Sequence, residues 1–545
     1  LWSCTSMLCW SPPPRFTSWP HPFLRLPAAH GVNSPLVSET PLAAGDFRTT
    51  LDCACAGIPL GLFQNSHLRV ALSLPGLRQT LISPRMLVQH DCSVQNRSRW
   101  RYAVASAQNA RRRKCTLSHL VSQKLAMSVN DHPLDQLDPL GPFREQFYLP
   151  SGKIYFDGNS LGLLCHAAEH AVLETLQQWK LLAIEGWTHA QPDWFHLTEQ
   201  IAEQLGRIVG ASADSITLTG STTLHLHQVL ATLYRRNDPR RGILIDSTAF
   251  PTDRYAVASF LRSQGLDPAE HLLQVSADHT DLLQETDIAA KLSHGVQMAI
   301  LPSVVFTTGQ LLDLAAVTTA AARHDVRICW DCSHSVGVVP LNLSVLEPDA
   351  AIWCTYKYLN GGPGSVAALY LHPRWHDRPP GLAGWFGADK SRQFRMEQEL
   401  VPAVGAGRLQ LGTPHVLSLA ALRGSLQVIE SAGVDRLRNK SLQLTAHLRQ
   451  LFLQRLPQSG FTFATPAADH RRGGHVAIRH PLARNLSSAL RARGFVPDFR
   501  EPDLLRIAPS PLYSRFADCD DLVAEICRIL AESPDLADWS NALVT

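Results

Sequence analysis

Short apolar runs alternate with segments of helical pattern from about residue 150 to 420, and this rhythm restricts the fold more than any single motif. The runs fall at 216–219, 242–246, 298–301, 326–330 and 350–354. Each is too short for a core helix, and all but Ile216-Thr217-Leu218-Thr219 lack the polar alternation of a strand with one wet face, so the set reads as buried strands. Helical stretches such as 311–324 lie between them. Strand, helix, strand in this order predicts an α/β fold: a mainly parallel sheet covered by helices on both faces, with ligands bound beyond the carboxyl ends of the strands. After residue 420 the pattern changes. The stretch 428–456 is helical and 473–479 and 504–508 suit strands, which predicts a smaller α+β domain.

Two of the strand ends carry chemistry. The run at 326–330 delivers Asp331 and then His334, and the run at 350–354 delivers Tyr356 and Lys357. An amine and a carboxylate so placed are the groups that pyridoxal phosphate needs, one to join its aldehyde and the other to keep its pyridine nitrogen protonated. The chain therefore reads as a pyridoxal phosphate enzyme. After Thr219-Gly220, the segment Ser221-Thr222-Thr223 opens a helix whose free amides and hydroxyls suit a phosphate dianion. Phe250-Pro251-Thr252-Asp253 offers an aromatic face to a flat ring, and Ser303 ends another strand. Singly these residues mean little, because a lysine after an apolar run is usually a solvated strand end and Ser or Thr caps helices everywhere. Their company reverses that reading.

Composition removes other classes. The chain is 45% hydrophobic and 18% charged, ordinary for a globular protein, and has no apolar stretch of membrane-spanning length. The net charge of +3 conceals an asymmetry: residues 1–126 hold about 14 Lys and Arg against about 4 Asp and Glu, so the remainder is acidic. That leading stretch shows neither helical nor strand periodicity and is expected to form no packed domain, with translation expected to begin at Met127. Its run Arg111-Arg112-Arg113-Lys114 lacks the interleaved aromatics of a nucleic-acid motif and reads as a solvated charge run, so neither nucleic acid nor membrane is an expected partner. The 12 cysteines have no disulfide spacing and no secretory signal precedes them, which points to a reducing cytoplasm. Cys329-x-x-Cys332 has redox or zinc spacing, but no second pair follows. His225 and His227 read as helix positions, and no metal site is expected.

Six motifs in order make the reading specific. Tyr155-Phe156-Asp157-Gly158-Asn159-Ser160-Leu161-Gly162, the Phe250 tetrad, Asp331-x-x-His334, Thr355-Tyr356-Lys357-Tyr358-Leu359-Asn360, Gly384-Trp385-Phe386-Gly387, and Leu505-Arg506-Ile507-Ala508-Pro509 with Pro511-Leu512-Tyr513 together resemble the kynureninase family. The likeness spans about residues 130 to 530. It implies a fold-type I pyridoxal phosphate enzyme with a large domain built on a seven-stranded sheet and a smaller C-terminal domain. It also implies a homodimer with active sites at the subunit interface, and hydrolysis of L-kynurenine to anthranilate and L-alanine. The expected division is 1–126 outside the enzyme body, 127–150 an N-terminal arm, 151–420 the large domain and 421–545 the small one.

Carried over by position, the resemblance assigns Lys357 the cofactor aldehyde and the proton shuttle, Asp331 the pyridine nitrogen, and His334 support of the same layer. Thr222, Thr223, Tyr356 and Trp385 are implied at the phosphate, Trp385 from the partner subunit, and Tyr356 also as a proton donor. Phe250 is implied against the ring, with Asp253 and Ser303 close by and Thr413 among the cofactor contacts. Arg506 is implied at the substrate α-carboxylate, where a planar fork binds better than an ammonium. Trp187 and Thr413 stand where animal members carry His and Asn, which implies a preference for kynurenine over 3-hydroxykynurenine. His225 stands where Asn is common. The rival readings are another fold-type I enzyme, an aminotransferase or cysteine desulfurase, and a non-enzymatic binder using the basic leader.

Overall fold

The computed structural model describes residues 132–533. The stretch 1–126 and its basic run lie outside the described residues. Seven strands form the central sheet: β1 (Ile216–Leu218), β2 (Gly242–Asp246), β3 (Leu272–Val275), β4 (Val296–Pro302), β5 (Arg327–Asp331), β6 (Ala350–Trp353) and β7 (Ala368–Leu371). Their order is β1-β7-β6-β5-β4-β2-β3, and β7 alone runs against the others.

The apolar runs are continuous because both faces of this sheet are covered. In β2, Leu244 enters one core cluster while Ile243 and Ile245 enter the other. In β5, Ile328 and Trp330 face the first cluster and Cys329 the second. Successive side chains point to opposite faces, so the strands are mostly apolar on both, with Thr217, Gln297 and Arg327 as buried polar exceptions, until the strand ends and polar chemistry begins. After β2 the chain crosses to β3 on one side and then returns to β4 on the other. That reversal opens a crevice at the carboxyl ends of β2 and β4, where doubly wound sheets bind ligands.

A second sheet of four antiparallel strands holds β8 (Thr462–Phe463), β9 (Val476–Arg479), β10 (Asp498–Arg500) and β11 (Leu504–Ile507) in the order β10-β11-β9-β8. It has its own apolar cluster, centred on Leu505, Ile507, Val476 and Ile478.

Three expectations need correction in detail. The stretch 428–456 is two helices, Val416–Ala432 and Val434–Arg455, because Gly433 turns the chain at φ +79°. Leu419, Leu422, Leu426 and Ile429 of the first helix pack in the large core, so position 420 falls inside that helix rather than at a break. Strands β3 and β7 had not been anticipated. Residues 272–274 at the edge are only half-buried and carry Gln274, and β7 follows a glycine-rich turn that masks its start.

Candidate functional site

The polar residues at the carboxyl edge meet in one cavity of about 220 Å³. Lys357 enters it from the loop after β6, Asp331 from the end of β5, Phe250 and Asp253 from the loop and helix after β2, and Thr222 and Thr223 from the helix after β1.

The lysine loop is fixed from behind by the first motif. The Gly162 N–H donates to the Tyr356 carbonyl at 2.7 Å, and a Cβ on Gly162 would collide with the Lys357 carbonyl and the Asn360 side chain. Only glycine allows this approach, which ties the Asp157–Gly162 motif to the lysine almost 200 residues away. The Lys357 amine lies 2.8 Å from Nε2 of His334 and 5.9 Å from the centre of the Phe250 ring. His334 is wholly buried. Burial first, then the positive charges of Lys357 and Arg506, hold its imidazole well below the ordinary proton affinity. It is neutral and accepts from the lysine amine.

Asp331, Asp246 and Lys357 all bear on the Asp253 carboxyl. Burial, with Asp331 and then Asp246 beside it, pushes the Asp253 carboxyl well above the usual range, while Lys357 pulls it down. Its Oδ1 has no hydrogen-bond partner among the described residues. Asp331 Oδ1 accepts from the Ser333 N–H at 2.9 Å, which fixes the rotation of its carboxylate. Burial likewise raises the Tyr356 phenol, so its proton stays on oxygen across neutral pH.

The helix Thr222–Leu233 begins at the cavity wall. Ser221 caps it, accepting from the Leu224 N–H, so the amides of Thr222 and Thr223 precede the first intrahelical bond and remain available. Thr223 and Thr252 share a 2.7 Å hydroxyl contact across this end. His225 lies one turn further, wholly buried, with Nδ1 3.1 Å from Gln228 Oε1 and Nε2 3.2 Å from the Ala367 carbonyl. It braces the helix against the residue preceding β7, and burial pulls its proton affinity down to about 4.

These features fit pyridoxal phosphate: an amine, an unpartnered buried carboxylate oxygen, free helix amides and an aromatic face line one cavity. The remaining expected residues lie elsewhere. Ser303 is fully buried behind the cavity, its hydroxyl donating to the Asp331 carbonyl at 3.0 Å and meeting Ser335 at 2.8 Å. It supports the Asp331 strand end. Arg506 is 1% exposed and is ion-paired to Asp498, behind Phe306 of the cavity wall. Trp187 and Thr413 share a separate, apolar surface groove of about 650 Å³. Trp385, 46% exposed, lines another hollow. Within one chain these three do not reach the lysine cavity.

Two buried residues escaped the sequence reading. His475 packs 5.9 Å from the His334 ring, and Asp498 holds Arg506. The available signal was polarity inside apolar strands: Asp498 precedes Phe499 in β10, and His475 immediately precedes Val476 of β9. Cys329 and Cys332 are free thiols in the core, with burial raising both. A reactive pair would need the opposite shift.

Comparisons with known proteins give a consistent picture. Residues 437–526 match the model of the kynureninase C-terminal domain. The kynureninase of Geobacillus thermodenitrificans is 45% identical over 399 residues, covering 73% of this chain and 93% of the relative. That of Shouchella clausii is 44% identical over the same length and shares. Among solved structures, a C-DES mutant with glycine covalently linked to its PLP cofactor superposes with a TM-score of 0.61 at 21% identity, covering 70% of this chain and 98% of that one. Apo cysteine desulfurase from Thermococcus onnurineus gives 0.61 at 15% identity, over 72% and 98%. At these identities the structural matches speak for the fold alone.

Proposed function

The chain belongs to the kynureninase family, and from that premise we propose how its own residues divide the work. The family's reaction is the hydrolytic cleavage of the Cβ–Cγ bond of L-kynurenine to anthranilate and L-alanine in tryptophan catabolism, with pyridoxal phosphate as cofactor. When bound, the cofactor supplies the electron sink for the charge left by the departing α-proton.

Lys357 would hold the cofactor aldehyde through Nζ and would carry the substrate α-proton. His334, neutral and 2.8 Å away, orients that amine. Asp331, its carboxylate held by the Ser333 amide and its strand end by Ser303, would pair with the pyridine nitrogen and keep it protonated. Thr222 and Thr223 would hold the phosphate through the helix amides, and Phe250 and Asp253, which line the same cavity, would hold the ring. Tyr356 keeps its proton at neutral pH and is the donor best placed in the cavity. Arg506 receives the substrate α-carboxylate. The single observation that carries this reading is the convergence of Lys357, Asp331, His334 and Asp253 on one cavity.

The site is completed by a second copy. The helix His166–Leu182 leaves Leu173, Leu176 and Trp179 exposed, and Ile184 beyond it is 76% exposed, beside the groove that holds Trp187 and Thr413. An apolar face of this extent on one element suits a homodimer interface. It would deliver Trp187, Thr413 and Trp385 to the partner's cavity. There Trp187 and Thr413 offer little to a ring hydroxyl, which favours kynurenine over 3-hydroxykynurenine. The small domain is best begun within the helix Val434–Arg455, where packing passes from the large core at Leu437 to the small one at Leu444. The free cysteines suit a reducing cytoplasm, and among the described residues no helix is long and apolar enough to cross a membrane.

Adding L-kynurenine to the cofactor-loaded protein tests the assignment. Anthranilate fluorescence should appear with equimolar alanine, and Lys357→Ala should abolish both. Transamination or sulfur release without anthranilate would move the chain to one of its fold relatives.

A further inference from the structure

We propose that Asp498 is a positioning residue that aims Arg506 at the substrate α-carboxylate and sets how much positive charge that carboxylate meets; this rests on the reading of Arg506 given above. The two residues are direct cross-strand partners in the small sheet, Asp498 on β10 opposite Arg506 on β11. On its other side Arg506 faces Ala477 of β9, a residue too small to compete for the space. Asp498 is 0% exposed and Arg506 1%. A wholly buried guanidinium needs a wholly buried counter-charge, and this pair supplies it.

The hydrogen bonds give the pair a direction. A guanidinium has five N–H donors in a rigid fork. Asp498 Oδ2 takes the side-on edge, accepting from Nε at 2.5 Å and from Nη2. The end-on edge is held differently. There Nη1 donates to the Phe306 carbonyl at 2.7 Å, and Nη2 reaches the Ser160 hydroxyl at a long 3.3 Å. One Nη1 donor is left over. Phe306 lines the cavity that contains Lys357, so the end-on edge faces the substrate side and the side-on edge faces the sheet. A carboxylate arriving from the cavity can replace the Phe306 carbonyl and the weakly held Ser160. It cannot replace Asp498, which is locked by β10 and also receives Arg500 Nε at 3.1 Å.

The charge count follows. Asp498 neutralises one of two guanidiniums, Arg506 and Arg500, and the incoming carboxylate answers the other. Arg500 therefore draws part of the Asp498 charge away from Arg506 and leaves Arg506 more attractive to an anion. Asp157, also buried, has its carboxyl raised to about 6 by burial first and Asp498 next; it stays largely ionised at neutral pH and is answered by Arg491, 3.7 Å away, which leaves the count at Arg506 unchanged.

The test uses the holoenzyme and two substrates, L-kynurenine and its decarboxylated amine analogue, with kcat/KM measured for each. In Asp498→Asn the loss of aim outweighs the extra positive charge left on Arg506, so KM for kynurenine should rise at least about tenfold while kcat falls by less. The preference for the carboxylated substrate should shrink by a similar factor. A residue that only supports the fold would lower both substrates alike, and that result overturns the proposal. Arg506→Lys separates the two ideas. If it leaves the preference intact, Arg506 is not the clamp and the parent reading fails. If it removes the preference while Asp498→Asn keeps it, only the positioning role fails. Arg500→Gln, at a partly exposed position, covers the case in which Asp498→Asn does not fold. It should raise KM for kynurenine about three- to fivefold and leave that for the analogue unchanged, whereas an unchanged or lowered kynurenine KM contradicts the charge-sharing account.

Discussion

The lysine cavity and the Trp187 groove are built by opposite rules. Every expected residue that lines the cavity comes from a strand end or from the loop or helix that follows it, and the sheet alone brings Lys357, Asp331, Asp253, Phe250 and Thr222 together. In the groove, Trp187, Thr413 and exposed Ile184 sit on a surface that one chain leaves uncovered. On the proposed reading the first region is finished by folding and the second by assembly with another copy. Cofactor chemistry should therefore depend on sheet-edge residues in any oligomeric state, and substrate turnover should depend on both regions.

Four substitutions can break or sharpen that contrast. Removing the cavity amine with Lys357→Ala should cost the largest factor, on the order of 10⁴ or more in kcat, without altering the oligomeric state seen by sedimentation. A charge on the exposed face, Ile184→Glu, should shift a dimer towards monomer and lower kynurenine turnover by about 10²-fold, yet leave cofactor absorbance in place. Loss of the absorbance together with the dimer would show that the cavity is not self-sufficient. Within the groove, Thr413→Asn adds an amide and should raise kcat/KM for 3-hydroxykynurenine relative to kynurenine by about five- to tenfold. An unchanged ratio would remove Thr413 from the substrate ring.

The smallest effect tests the cavity wall. His225 has its proton affinity lowered to about 4 from 6.5 by burial. A base whose folded pKa is depressed contributes stability that is complete above 6.5 and lost as pH falls through about 4, because the unfolded chain takes up the proton first. His225→Asn removes this loss. Chemical denaturation at pH 7 and at pH 4 should show the variant losing less stability on acidification, by on the order of 2 kcal/mol. Parallel acid profiles for the two proteins would contradict the buried, neutral assignment.

The same contrast explains what the sequence disclosed. Strand ends were legible because a doubly covered strand is mostly apolar and then stops, so Asp331 and Lys357 announce themselves locally. The edge strand Leu272–Val275 was not, since its partial burial erases that pattern. A single helix across 428–456 was the natural reading of periodicity, and one glycine at φ +79° divides it. At Arg506 the residue type was readable, but its burial and its fixed partner were not. Asp498 and Arg506 are eight positions apart and meet only through strand register. Trp187, Thr413 and Trp385 were identified by motif, yet nothing local in the sequence says that folding alone leaves them away from Lys357.

The central claim is that Nζ of Lys357 carries pyridoxal phosphate in a cavity formed by this chain's own sheet edge. Borohydride reduction of the cofactor-loaded protein, followed by digestion and peptide mass spectrometry, tests it most directly. The account predicts one reduced cofactor adduct per chain, on the peptide containing Lys357. An unmodified Lys357, or an adduct on a different lysine in active enzyme, would contradict it.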